Sequence, residues 1–282
     1  MTSDLKTQIT VMFSRLDNQS AAGAFPVPRA LSSLLTSRCH PFDQTAIAAR
    51  PPELTLFATA AVEMWLRAIH SFLISASLTD ASPIWSSVAG YYSSHYCIRA
   101  FAHLFGLFHL HKDKRLIQLS RQGNGWVFEI IKKNGGDREH KLYWKYLAEH
   151  PELSGDPFFY PNREDVPISD GSHRNRANYA DHLNVFPQFR PLNEEFLAQR
   201  IQKIAEIQLT SIPTPNADKF PDLASVQILA YHRVVRFRKV VDEVIGAEHR
   251  FWSVQRNPSW RPKDLTFQVV DPEYAAIYAG KT

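Results

Sequence analysis

Residues 172–182 read Ser-His-Arg-Asn-Arg-Ala-Asn-Tyr-Ala-Asp-His, a dense run of polar side chains that follows a proline-containing stretch. On a helix, Arg174, Asn178, Asp181 and His182 share one face, while Arg176 and Tyr179 lie three residues apart elsewhere. A histidine titrates near neutrality. It can therefore take the proton of a ribose 2′-hydroxyl or protonate a leaving oxygen. An arginine can stabilise the charge that grows on a phosphate. Together these groups suit phosphodiester cleavage, and with RNA no metal is needed because the substrate carries its own nucleophile. The competing reading is a solvated helix in which Arg174 or Arg176 pairs with Asp181.

Two other runs carry related chemistry. In Tyr231–Val241, His232, Arg236 and Lys239 form a basic stripe, Arg233 and Arg238 add charge, and no acid interrupts. That is a footprint suited to a phosphate backbone. Ala230, Val234, Phe237, Val241 and Val244 form the opposite stripe, so the same segment also reads as an amphipathic packing helix. In Tyr91–His103, helical spacing places Tyr92, His95 or Tyr96, Arg99 and His103 on one side. The small residues Ala100, Ala102 and Gly106 permit close helix approach. Arg99 interrupts an apolar helix and must find a partner, for which Glu63 is the expected acid.

Other chemistries find no motif. There is no Walker loop, no dinucleotide glycine fingerprint and no nucleophile elbow. Cys39 and Cys97 have no metal spacing, which argues against zinc and fits a reducing compartment. No cofactor is expected. His40 and the His109-Leu-His111 pair read as surface or capping residues.

The elements that must position these groups are mostly helical. Apolar residues at Leu5, Ile9, Met12, Phe13 and Leu16 predict a helix over 3–18, with no signal-peptide pattern. A proline-containing arm follows, with one short helix expected near 29–36. Pro51-Pro52 opens a long helix ending at Leu78. Ser82 and Pro83 supply the cap and first position of the next, expected to run to about Leu110. The two read as an antiparallel hairpin. Two short apolar runs, Lys114–Leu119 and Trp126–Ile131, are bounded by Gly123-Asn124-Gly125 and Asn134-Gly135-Gly136 and predict an inserted β-hairpin. Helices are expected again over 137–150, 172–184, 192–211 and 222–255, with an irregular tail beyond. Leu54–Leu78 is long enough to span a bilayer, but Glu63, Arg67 and His70 near its middle make it a core helix. With 282 residues, 44% hydrophobic and 21% charged, the chain can bury a substantial core, and a net charge of +4 permits a nucleic-acid partner.

Two segments resemble HEPN domains, the higher eukaryote and prokaryote nucleotide-binding helical bundles. Tyr91-Tyr92 followed by Ile98-Arg99-Ala100 looks like the pattern on an early long helix of that family. Arg176 and His182, five residues between them, look like the arginine–histidine spacing of its nuclease members. Arg174 has the polar Asn175 directly after it, as the family prefers, but has seven residues between it and His182. Arg176 has the family's spacing but is followed by Ala177. The resemblance implies a mainly α fold, an antiparallel helical bundle with an inserted β-hairpin. On that reading residues 1–51 are an N-terminal helix and irregular arm, 52–255 the HEPN-like domain with its hairpin near 114–133, and 256–282 a tail. It further implies a metal-independent endoribonuclease, a homodimer, and a toxin or antiviral-defence role with RNA as substrate and an antitoxin or defence protein as partner. His182 would be the general acid and base, Arg174 or Arg176 the phosphate stabiliser, and Asn175 or Tyr179 a positioning group. Arg99, His232, Arg233, Arg236 and Lys239 are the expected RNA contacts, in a cytoplasmic protein with no membrane partner. The rival reading is a non-catalytic helical module that binds a nucleotide or a protein.

Overall fold

The computed structural model describes residues 1–14, 34–38, 46–110, 115–133, 139–150, 194–208, 223–249, 251–252 and 271–280. The helices are α1 (Ser3–Ser14), α2 (Pro51–Leu78), α3 (Pro83–Leu104), α4 (Glu139–Glu149), α5 (Glu194–Glu206), α6 (Leu223–Ile245) and α7 (Asp271–Tyr278), and the strands are β1 (Ala46–Ala48), β2 (Leu107–Leu110), β3 (Arg115–Gln122) and β4 (Gly125–Lys133). A helical turn covers 34–38. Among the described residues the protein is mainly α with a small antiparallel sheet.

Local chemistry accounts for several helix ends. Pro51 and Pro52 fill the first turn of α2, and Glu53 accepts the Arg50 backbone N–H at 2.6 Å, as in a capping box. Glu53 also accepts Arg38 Nε at 3.0 Å, which ties the 34–38 turn to the start of α2. The Ser82 carbonyl accepts the first bond of α3, from Ser86 N–H at 2.9 Å. Two helices stop sooner than periodicity alone suggests. Gly106 takes φ +78 two residues past the end of α3, and Gly246 takes φ +91 directly after α6 and donates its N–H to Asp242 O at 2.9 Å. Residues 107–110, expected to continue a helix, are therefore a strand. The tail expected to be irregular contains α7.

The chain forms two compact units, each assembled from three separate stretches, so they do not follow the 1–51, 52–255 and 256–282 division in chain order. One comprises Met1–Met64, Arg99–Leu147 and Val240–Lys263; the other comprises Trp65–Ile98, Ala148–Lys239 and Asp264–Thr282. Boundaries fall inside α2, α3, α4 and α6.

The first unit holds the sheet, in the order β1-β4-β3-β2 with every neighbour antiparallel. The expected hairpin is its centre. Gln122 pairs with Gly125 across a turn in which Gly123 has φ +57. A bulge lies between Leu116 and Ile117. Phe57 of α2 packs on this sheet, its ring 5.9 Å from Phe128 and 6.3 Å from Phe108. Ile9, Met12 and Phe13 bury the inner face of α1, and Gln8 Nε2 donates to Leu104 O at 3.2 Å. The N-terminal helix is thus part of this unit's core.

The second unit packs the remaining parts of α2, α3 and α6 around Trp65, Phe72, Tyr231 and Phe237, all buried. Its centre also has a polar seam. Ser75 Oγ donates to Ser86 O at 2.7 Å, and Gln227 Nε2 lies within donating distance of Ser75 O, Thr79 Oγ1 and Ser86 Oγ at 3.0, 2.8 and 3.1 Å. Gly90 makes the close approach possible, since a Cβ there would stand 3.0 Å from both Ser75 Oγ and Val226 Cγ1. A satisfied buried network of this kind favours one helix register over its neighbours. α5 joins this unit through buried Leu197, Ile201 and Ile204 and an Arg200–Asp80 bridge of 2.7 Å.

The Glu53–Leu78 segment is long and apolar enough to cross a membrane by length and composition, yet 72% of its apolar window is buried within the fold. It serves as a core helix.

Candidate functional site

Arg174, Asn175, Arg176, Tyr179 and His182 lie outside the described residues, as does the helix expected over 172–184. The basic residues of α6 are described, and the structure sorts them. Lys239 is exposed, and His232 and Arg236 are half-buried. His232 Nε2 lies 2.6 Å from Ile207 O, just past the end of α5. A carbonyl can only accept, so this nitrogen carries the proton. Burial lowers the His232 pKa below the ordinary histidine value. The bond to Ile207 opposes that shift, and the Lys239 charge adds to it.

Arg233 is a correction to the expected RNA contacts. It is 0% exposed, and its Nη1 donates to Ser94 Oγ of α3 at 2.6 Å. Its guanidinium is a core group of the second unit. Arg238 is buried as well and donates from Nη1 to the backbone carbonyl of Tyr278 in α7. The helix is covered on more than one face, so its periodicity overstated the exposed charge. In the same unit Cys97 is buried, and burial pushes its thiol well above the usual range. A thiol so far from ionising is a packing residue.

The Tyr91–His103 constellation is divided between the units. Tyr91, Tyr92, His95 and Tyr96 form an aromatic ladder in the second, with Tyr92 and Tyr96 rings 5.9 Å apart and Tyr91 stacked parallel to His95 at 6.1 Å. Arg99 and His103 belong to the first. Arg99 is half-buried, its guanidinium 6.0 Å from the centre of the Tyr143 ring, a distance at which the ring face attracts a cation.

His103 is completely buried. Its Nδ1 lies 3.1 Å from Leu107 O, and its ring stacks on Phe108 at 5.1 Å and meets the edge of Tyr143 at 6.0 Å. Since Leu107 O can only accept, Nδ1 holds the proton and Nε2 keeps a lone pair. Among the described residues Nε2 has no hydrogen-bond partner. The Tyr143 hydroxyl oxygen accepts the His109 backbone N–H at 3.0 Å. His109, expected at the surface, is instead a buried residue of β2. Periodicity carried no sign of this, because β2 forms only by pairing with β3.

Burial, with Arg99 adding like charge and the Leu107 bond opposing, lowers the His103 pKa to about 3. His103 is therefore neutral at physiological pH and too weakly basic to move protons there. Below pH 6.5 the unfolded chain binds a proton that the folded chain refuses, so stability falls as the pH drops from 6.5 towards 3. Between pH 7 and pH 5 this one group should remove about 2 kcal/mol, and His103→Phe should flatten that part of the profile. Urea unfolding at the two pH values checks it; equal slopes for wild type and variant would sink the assignment.

The chain matches no family model, no curated protein and no solved structure.

Proposed function

We propose that the chain is a metal-independent endoribonuclease of the HEPN type, acting as a toxin or defence effector. The observation that carries this reading is the Arg176–His182 spacing inside the polar run 172–182. His182 takes the proton of a 2′-hydroxyl. The 2′-oxygen then bonds to the adjacent phosphorus, the bond to the 5′-oxygen breaks, and that oxygen leaves with a proton from the imidazolium. Arg176 or Arg174 stabilises the charge on the phosphate oxygens, and Asn175 or Tyr179 positions the group. The products are a 2′,3′-cyclic phosphate and a 5′-hydroxyl end. Support comes from the mainly helical fold, from the Tyr91-Tyr92 and Arg99-Ala100 pattern on the long helix α3, and from Lys239, Arg236 and His232 on α6.

A second reading has its own observation. Arg233 and Arg238 turn inward and Arg99 lies over Tyr143, which leaves fewer cations for a backbone than the sequence offers. A binding module that holds a nucleotide or a protein without cutting RNA would need no more than this.

The experiment is cleavage of transfer RNA and total RNA by the purified full chain in excess EDTA. Fragments ending in cyclic phosphate are expected. Intact RNA across all substrates would transfer the conclusion to the binding module.

A further inference from the structure

Helix α7 has eight residues, too few to persist in water without support. It is held by docking: Tyr274, Ile277 and Tyr278 are buried within the second unit. Among the described residues, two contacts of Tyr278 carry the argument. The Tyr278 ring lies 5.6 Å from the Trp65 ring of α2, at a tilt of 34°. The Tyr278 backbone carbonyl takes a hydrogen bond from Arg238 Nη1 of α6. Beneath them Trp65 stacks on Phe237, ring centres 5.6 Å apart, and its indole Nε1 donates to Val234 O at 2.8 Å. The surface under α7 is therefore a fixed, flat indole beside a guanidinium.

The chemistry of that pair suggests what else fits it. Arginine bonds more strongly to a phosphate oxygen than to a neutral carbonyl. An aromatic face beside a backbone-tracking cation is the combination on which single-stranded nucleic acids bind, with a base stacked and a phosphate neutralised. Tyr278 occupies both positions at once: its ring takes the place of a base on Trp65, and its carbonyl takes the place of a phosphate on Arg238. The same helix α6 carries Arg236, half-buried, and Lys239, exposed.

We propose that α7 is an intramolecular stand-in for RNA, a cover that lifts from Trp65 and Arg238 so that a single strand can take its place. The ligand class rests on the ribonuclease reading above; the cover rests only on the packing of α7. A helix of eight residues that persists only by docking belongs to the less stable part of a fold and opens without global unfolding. Lifting it would release the Arg238 Nη1 hydrogen bond to Tyr278, on a helix that already holds the half-buried Arg236 and the exposed Lys239.

Two measurements on the full chain test this. Hydrogen exchange of the wild type should show amides of Asp271–Tyr278 exchanging at least about tenfold faster than those of Val234–Val241, and faster again with excess twelve-nucleotide oligouridine. Equal rates for the two helices, or rates that oligouridine leaves unchanged, would overturn the cover. By fluorescence anisotropy with labelled oligouridine, Tyr278→Ala should bind about five- to tenfold tighter than wild type, and adding Arg238→Ala should cancel the gain. Equal or weaker binding by folded Tyr278→Ala overturns it too. If that variant does not fold, the exchange data on wild type decide alone. The two readings fail separately: RNA cleaved by wild type with no gain in Tyr278→Ala sinks only the cover. Rapid α7 exchange without any binding or cleavage of RNA sinks the ribonuclease reading and with it the proposed ligand.

Discussion

Replacing His182 by alanine is expected to slow RNA cleavage by about 10²- to 10⁴-fold, the usual weight of a positioned general acid and base. The size follows from the double use of one group. In the proposed mechanism the same imidazole removes the 2′-hydroxyl proton and supplies one to the departing 5′-oxygen, so its loss would raise the barrier at both ends of the transfer. The arginine variants separate the two alternatives left by the sequence. If Arg176 stabilises the phosphate, Arg176→Ala should cost about 10²- to 10³-fold and Arg174→Ala much less; the reverse order would assign the role to Arg174. Single-turnover cleavage in EDTA, with circular dichroism to verify folding, reads all three. A His182→Ala protein that cuts as fast as wild type would remove His182 from the mechanism whatever else the chain does.

The largest effect on stability is expected at Gly106. Its φ of +78 is a conformation that residues with a Cβ rarely adopt, and a Cβ there would sit 2.6 Å from Leu119 Cβ, 3.1 Å from Gln8 Nε2 and 3.3 Å from Leu119 O. Leu119 cannot retreat easily. Its N–H bonds to Gly106 O at 2.8 Å, and its own strand is the partner of β2 and β4. Gly106→Val should therefore combine backbone strain of about 1–3 kcal/mol with overpacking of similar size. A total of about 2–6 kcal/mol is a large share of the roughly 5–15 kcal/mol that holds a domain folded. Gly123 is the control. It also has positive φ, but nothing lies within 4 Å of its Cβ position, so Gly123→Ala should cost only the strain. Urea midpoints compare the two, and equal losses at both positions would show that the close approach to Leu119 contributes nothing.

Much of the helical framework was legible in the residues themselves. Pro51-Pro52 and Ser82-Pro83 place the starts of α2 and α3 because caps and fixed φ act within one turn of chain. Gly123-Asn124 places the β3–β4 turn for the same reason. The apolar stripe Ala230, Val234, Phe237 and Val241 is buried as its spacing predicts. For the candidate chemistry, the sequence determined which residue types stand together in 172–182, and the described structure adds no geometry there. Tertiary structure alone decided the rest. Ala46–Ala48 and Leu107–Leu110 are too short to carry a period and become strands only by pairing with β4 and β3. Arg233 and Arg238 look like surface charge on a helical wheel, yet Ser94 of α3 and Tyr278 of α7 enclose them. His103 shares a helical side with Arg99 by spacing, but its neutral state follows only once Phe108, Tyr143 and Leu107 surround it. Caps, turns and stripes are short-range and so are written in the order of residues. Burial, strand pairing and the charge state of an enclosed side chain depend on neighbours far away in the chain, which only the folded state brings together.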